Sequence, residues 1–130
     1  GLYVANYYKN KGEDALERKA FKDTEAYIKK YINPEISNAL MSARAIGYLV
    51  KCYLEQNDNK RAIETLKMLH DQFVQTPDGL LSSLKLADIY ENVMHDTTSA
   101  VSWLNVYIKD NPYGDDIDDV KAHIRILTNK

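Results

Sequence analysis

The amino-acid sequence predicts an all-α protein, and three observations carry that prediction. Apolar residues recur at helical spacing along most of the 130-residue chain. Only three prolines and five glycines interrupt the chain, too few for a sandwich or barrel of many strands. No run of four or more residues alternates apolar and polar side chains as a half-buried strand would. We therefore expect a single helical domain over residues 1–130.

Helix boundaries are indicated by cap and turn residues along the chain. Asn33-Pro34 and Thr76-Pro77 each place a capping side chain before a proline, which suits a first helical turn because its N–H has no intrahelical partner there. Further turn or cap residues lie at 12–14, 56–59, 95–98 and 111–115. The predicted helices span residues 2–11, 14–32, 35–55, 59–75, 78–94, 97–110 and 115–128.

The last predicted helix has the clearest apolar stripe, formed at spacings of 3, 4 and 3 by Ile117, Val120, Ile124 and Leu127. We expect this stripe to cover the preceding helix near Trp103. The side chains expected to face water are Asp116, Asp119, Lys121 and Arg125. Helix 115–128 would then cap the end of the domain, where an apolar face would otherwise be exposed.

The acidic run at positions 115–119 favours a helix start over a metal site. Its carboxylates are Asp115, Asp116, Asp118 and Asp119. They do not follow the alternate spacing, with a glycine at the sixth position, that a calcium loop needs. Carboxylates at a helix start complement the helix dipole, and Asp115 with Asp118 resembles a capping box.

Composition argues against several functional classes. The 17 basic and 19 acidic residues leave a net charge of −2, so no general attraction to nucleic acid is expected. The single cysteine, Cys52, excludes an internal disulfide and a cysteine zinc site, and we expect a structural thiol. His70, His95 and His123 are too dispersed for a metal site, and no catalytic motif is present. We expect no enzymatic activity and no cofactor.

A local pattern occurs three times: an apolar residue, a small or medium residue, and a tyrosine three positions later. The three tyrosines are Tyr8, Tyr53 and Tyr90. Ala62 follows Tyr53 by nine residues, and Ala100 follows Tyr90 by ten. Each of the three segments ends near a proline. The spacing indicates an internal repeat of a helix pair.

This pattern resembles the tetratricopeptide repeat, although the tryptophan of that family is absent at the repeat starts and Val50 stands where a smaller residue is usual. The resemblance implies a right-handed superhelix of about three helical hairpins plus a capping helix. The units would be 2–33, 35–76 and 77–112, with the cap at 115–128. It also implies a non-catalytic module that binds a peptide or partner protein on its concave face.

The resemblance places the groove on the first helix of each unit. Carried over by register, the groove positions are Asn6, Lys9, Arg44, Gly47, Lys51, Leu54, Leu81, Leu84, Asp88, Glu91 and Asn92. The groove would be basic at its centre and acidic, with two exposed leucines, at its C-terminal end. Arg44 and Lys51 project from one side and suit an acidic, apolar peptide. Tyr48 and Lys85 do not match the clamp that binds chaperone tails.

A weaker resemblance links the N-terminal residues and the segment Tyr107 to Pro112 with repeat proteins of the bacterial envelope: outer-membrane assembly lipoproteins and the Tol–Pal coordination protein. It implies a periplasmic or outer-membrane-associated role in assembly, with contact to the membrane only indirectly, if a lost N-terminal anchor exists. Two alternatives stay open: a scaffold that self-associates through Leu81 and Leu84, and a helical domain that binds a small molecule.

Overall fold

The computed structural model describes residues 22–23, 26 and 39–129, and this part of the chain is helical without a strand. The predicted helix 2–11 and the predicted cap Asn33-Pro34 lie outside the described residues. Within 39–129 no helix combines the length and apolarity that crossing a bilayer requires. The helices there are α1 (Ala39–Glu55), α2 (Asn59–Phe73), α3 (Pro77–Asn92), α4 (Thr97–Asp110) and α5 (Ile117–Thr128).

The start of α3 confirms the cap predicted at Thr76-Pro77. Thr76 has an extended backbone, and its Oγ1 accepts a hydrogen bond of 3.1 Å from the N–H of Gly79. The same hydroxyl donates to the carbonyl of Phe73 at 2.6 Å. A Cβ on Gly79 would collide with that carbonyl, so only glycine fits this first turn. The tight turn ends α2 at Phe73, two residues earlier than predicted.

The chain divides into two compact units, residues 1–65 and 66–130, with the boundary inside α2. The described core of the first unit is built from α1 and the start of α2. Its buried apolar residues are Ala43, Ile46, Leu49, Val50, Cys52, Tyr53, Ala62 and Ile63. In the second unit α3 packs against α4, and α4 packs against α5. These three helices share one apolar cluster.

The prediction for the apolar stripe of α5 is confirmed. Ile117, Val120 and Leu127 are buried in the cluster of the second unit, and Ile124 packs against it half-buried. Trp103 of α4 contacts the same cluster. Burying this stripe is worth on the order of 6–10 kcal/mol before conformational entropy is subtracted. Helix α5 therefore contributes a substantial part of this unit's core.

Two predictions for the start of α5 are wrong. The helix begins at Ile117, with Asp116 as its N-cap, so Asp115 and Asp118 form no capping box. Asp116 does not simply face water either. Its side chain makes no cap hydrogen bond and instead accepts the hydroxyl of Tyr107 at 2.8 Å. The hydroxyl of a buried tyrosine needs a hydrogen-bond acceptor, and Asp116 accepts this bond instead of capping α5 with its side chain.

Candidate interaction surface

Helices α1 and α3 expose and bury side chains at positions that correspond when 37 is added to the residue number. On each helix, most side chains between the exposed positions are buried. From Ser42 onward the exposed residues of α1 are Arg44, Tyr48 and Lys51, and their counterparts on α3, also exposed, are Leu81, Lys85 and Asp88. Buried Ile46, Leu49, Val50 and Cys52 correspond to buried Ser83, Leu86, Ala87 and Ile89. The two helices therefore repeat one pattern of exposure.

The turns that follow α1 and α3 also repeat. The N–H of Asp58 donates to the carbonyl of Tyr53 at 2.9 Å, and the N–H of Asp96 donates to the carbonyl of Tyr90 at 2.7 Å. Each aspartate then caps the next helix, because its Oδ1 accepts the N–H three residues later, at 3.2 Å for Asp58 and 3.1 Å for Asp96. The cap predicted at 95–98 is confirmed in Asp96.

A residue with positive φ precedes each capping aspartate. Asn57 has φ 59° and His95 has φ 53°, the left-handed conformation that reverses a chain after a helix. In the helices that follow, Ala62 and Ala100 are both fully buried. The second turn is one residue longer, which accounts for the spacings of nine and ten residues from tyrosine to alanine. Residues 39–73 and 76–110 thus repeat one helix–turn–helix pattern.

The exposed face of α1 combines cations with large apolar side chains. Leu40, Met41 and Tyr48 are 50%, 72% and 49% exposed. Together with Arg44 and Ala45 they line a surface pocket of about 360 Å³. The helix carries no acidic residue before its last position, Glu55. Sequence reasoning identified the cations but missed the pocket, although Met41, Arg44, Tyr48 and Lys51 share the spacing of one helix face.

On α3 the predicted leucine pair is only half correct. Leu81 is 42% exposed, but Leu84 is half-buried and packs against the shared cluster of the second unit. Leu84 lies one turn from Ala87, on the side of α3 that the cluster covers. The interpretation of both leucines as an exposed patch is therefore wrong. Asp88 and Asn92 are exposed and joined by a hydrogen bond of 2.6 Å.

The remaining predicted groove residues differ in accessibility. Glu91 is half-buried, and its Oε1 lies 2.7 Å from Nε2 of His123 on α5, so this carboxylate already has a partner. Gly47 and Leu54 are half-buried. Asn6 and Lys9 lie outside the described residues. The predicted positions that reach solvent are Arg44 and Lys51 on α1 and Leu81, Asp88 and Asn92 on α3.

The apolar stripe of α5 corresponds to buried positions of α3 when 38 is added to the α3 residue numbers. The two helices differ on the opposite side, which is more polar in α5 than in α3. Ile117, Val120, Ile124 and Leu127 correspond to Gly79, Ser82, Leu86 and Ile89. Leu80, Leu84 and Ala87 of α3 contact the shared cluster, whereas the corresponding residues of α5 are Asp118, Ala122 and Arg125. This polar face suits a helix that ends a packed array. Ile126, which sequence reasoning left unassigned, is 67% exposed.

Titratable groups in the described residues form pairs and not larger clusters. Nε2 of His70 lies 2.6 Å from Oδ2 of Asp110, and its ring meets Trp103 edge-on at 5.7 Å. Over the same residues, no three side chains of His, Cys, Asp or Glu gather as metal ligands would. Cys52 is buried, and burial together with nearby Glu55 raises the pKa of its thiol to about 11. Such a thiol is a poor nucleophile.

The exposed stripes of α1 and α3 therefore hold the predicted groove residues that are accessible to solvent. Comparison with known proteins identifies no relative of this chain. The chain matches no protein-family model, no curated protein and no solved structure at a significant level.

Proposed function

We propose that this chain is a non-catalytic interaction module of tetratricopeptide-like helix–turn–helix units that binds a peptide or partner protein through the exposed faces of its first helices, α1 or α3. One observation carries the proposal: the first helix of each repeated unit keeps the same register positions open to solvent. In helical repeat arrays such aligned positions form extended binding surfaces.

The chemistry of the exposed positions supports this proposal. A large apolar side chain on a solvent face costs free energy unless a partner covers it, and α1 exposes Met41 one turn before Arg44 and Tyr48 between Arg44 and Lys51. The stripe on α3 has Leu81 next to exposed Lys85 and Asp88. A transient interface is about as apolar as the rest of a protein surface, so this mixture of apolar and charged residues is compatible with one.

A peptide selection with residue-level mapping tests the proposal. The chain is used to select binders from a randomised peptide display library, and the best peptide is titrated into ¹⁵N-labelled protein. We expect the shifted amide signals to cluster on the exposed face of α1, around Tyr48, or on that of α3, around Lys85. Signals that shift mainly on α2 and α4, or a selection that enriches no peptide, would contradict the proposal.

The competing reading, a scaffold that associates with itself, predicts a different result. Sedimentation velocity over a hundredfold range of concentration should show a constant mass for a module that binds other proteins. A mass that rises with concentration would favour the scaffold. With Leu84 half-buried in its own unit, Leu81 is the one member of the predicted contact pair that is exposed.

The place of this module in a bacterial envelope is a second part of the proposal, supported only by the weaker resemblance of the N-terminal segment and residues 107–112. Fractionation of the source cells with an antibody against the chain tests it. Signal in the periplasmic or outer-membrane fraction is expected, and signal confined to the cytoplasm would contradict an envelope role.

A further inference from the structure

We infer that the exposed face of α1 binds an acidic peptide that carries one apolar side chain between two carboxylates. This inference rests on the proposed function and names the ligand chemistry of the α1 surface. The face offers two exposed cations, Arg44 and Lys51, with the ring of Tyr48 between them in sequence. It presents no carboxylate before Glu55.

The spacing of the cations sets the spacing of the carboxylates. Arg44 and Lys51 are seven residues apart, which is about 10.5 Å along a helix axis, and both project from the same side. A peptide in the polyproline II conformation advances about 3.1 Å per residue with three residues per turn, so acidic residues three positions apart project from the same side, about 9.3 Å from each other. The expected ligand therefore has the form Glu-x-apolar-Glu or its aspartate equivalent.

The pocket on this face suits the apolar side chain of the ligand. Its volume of about 360 Å³ is sufficient for a leucine or phenylalanine side chain, and its lining is largely apolar, from Leu40, Met41, Ala45 and Tyr48. The pocket also borders Arg44, so one carboxylate of the peptide and its apolar residue can be bound next to each other. Aromatic and aliphatic anchors in such pockets usually contribute most of the binding free energy.

The charge distribution along the chain directs an acidic ligand to the first unit. Residues 66–130 hold ten acidic and six basic residues, whereas residues 1–65 hold nine acidic and eleven basic ones. An acidic peptide is thus repelled by the second unit, where α3 exposes Asp88, and attracted by the first. A basic peptide would show the opposite preference.

A charge-swap experiment tests this inference. The probe is a fluorescein-labelled peptide Gly-Glu-Ala-Leu-Glu-Gly, and binding is measured by fluorescence anisotropy at low salt. We expect Arg44→Glu with Lys51→Glu to weaken its binding at least tenfold. The peptide Gly-Lys-Ala-Leu-Lys-Gly should bind the double variant more tightly than it binds the wild type. Circular dichroism checks that the variants fold.

The chain offers a matched control for this experiment. Lys60 and Lys67 are exposed on α2 with the same separation of seven residues, so Lys60→Glu with Lys67→Glu makes an identical charge change elsewhere. This control should bind the acidic probe within twofold of the wild type. Equal losses in both double variants would mean a general charge effect and would overturn the inference. The single variant Lys51→Glu, which leaves Arg44 and the pocket intact, should still weaken binding measurably.

The outcomes separate this inference from the proposed function. If library peptides map to α1 but bind the charge-reversed variant equally well, the module stands and the acidic specificity is wrong. A selection that enriches no peptide contradicts both. If the acidic probe does not bind and Lys51→Glu abolishes a dimer in sedimentation, a second copy of the chain occupies the face, which also overturns the inference.

Discussion

The hydroxyl of Tyr107 on α4 donates a hydrogen bond to the carboxylate of Asp116 at the start of α5, at 2.8 Å from Oδ2 and 3.0 Å from Oδ1. The side-chain amide of Asn111 donates to the same phenol oxygen at 3.2 Å. The contact joins the end of one helix to the start of the next. Burial, and then the hydrogen bond to Asp116, raises the pKa of the Tyr107 phenol above its ordinary value of 10.0.

Stability at alkaline pH should depend on Tyr107. Because its pKa is higher in the folded state than in the unfolded chain, its contribution to the free energy of unfolding is complete below pH 10 and is lost as pH rises through the folded pKa. In urea titrations between pH 8 and pH 11, Tyr107→Phe should therefore flatten this decline. Tyr113→Phe is the control, since Tyr113 is 96% exposed. Identical pH profiles for wild type and Tyr107→Phe would contradict the prediction.

Removing the apolar stripe of α5 should destabilise the second unit. Leu127 is 7% exposed and contacts the cluster, whereas its neighbour Ile126 is 67% exposed. We expect Leu127→Ala to lower the free energy of unfolding by about 2–4 kcal/mol, and Ile126→Ala to change it by less than about 0.5 kcal/mol. Cutting the chain after Gly114 should cause a large fall in melting temperature. Equal effects of the two alanine substitutions, or a truncated chain as stable as the parent, would show that α5 does not cap the unit.

A buried hydroxyl on α3 should be replaceable with a gain in stability. Ser83 is fully buried, and its Oγ finds no hydrogen-bond partner in the part of the chain that the structure describes. Ser83→Ala should therefore raise the free energy of unfolding by about 1 kcal/mol. The adjacent Ser82 donates to the carbonyl of Gly79 at 2.5 Å, so Ser82→Ala should be neutral or destabilising in the same chemical melts. A Ser83→Ala variant less stable than the wild type would show that the hydroxyl has a partner.

The thiol of Cys52 should be unreactive in the folded chain. It is buried, and its pKa of about 11 leaves little thiolate at pH 8. Alkylation by iodoacetamide at pH 8, followed by mass spectrometry, should be at least a hundredfold slower in buffer than in 6 M guanidinium chloride. Since this is the chain's one cysteine, the unfolded protein supplies the reference rate. Comparable rates in both conditions would mean that the thiol is accessible.

Local features were predictable because their causes lie within a few residues. Thr76 supplies the hydroxyl that accepts the cap hydrogen bond, and the ring of Pro77 fixes a helical φ. The start of α3 therefore follows from two adjacent residues. The end of α2 was less predictable. The N–H of Thr76 donates to the carbonyl of Phe73 at 2.9 Å, and this turn replaces two further helical residues.

The repeat was also visible in part from the sequence. The residue pattern before Tyr53 matches that before Tyr90, and the structure shows that their carbonyls make equivalent turns with Asp58 and Asp96. The extra residue in the second turn could be counted from the sequence. The conformation of this turn could not be predicted, because the positive φ of His95 is unusual for a residue that is not glycine.

Over residues 39–129 the sequence by itself determined the helical class, the helix limits within a few residues and the apolar stripe of α5, since period, caps and turns act between neighbours in the chain. The tertiary structure alone decided that Leu84 is covered while Leu81 is exposed, and that Glu91 pairs with His123. It also decided that Asp116 accepts from Tyr107. A helix that is apolar on several sides does not specify which side a neighbour covers, and contacts between residues 32 positions apart depend on how whole helices pack.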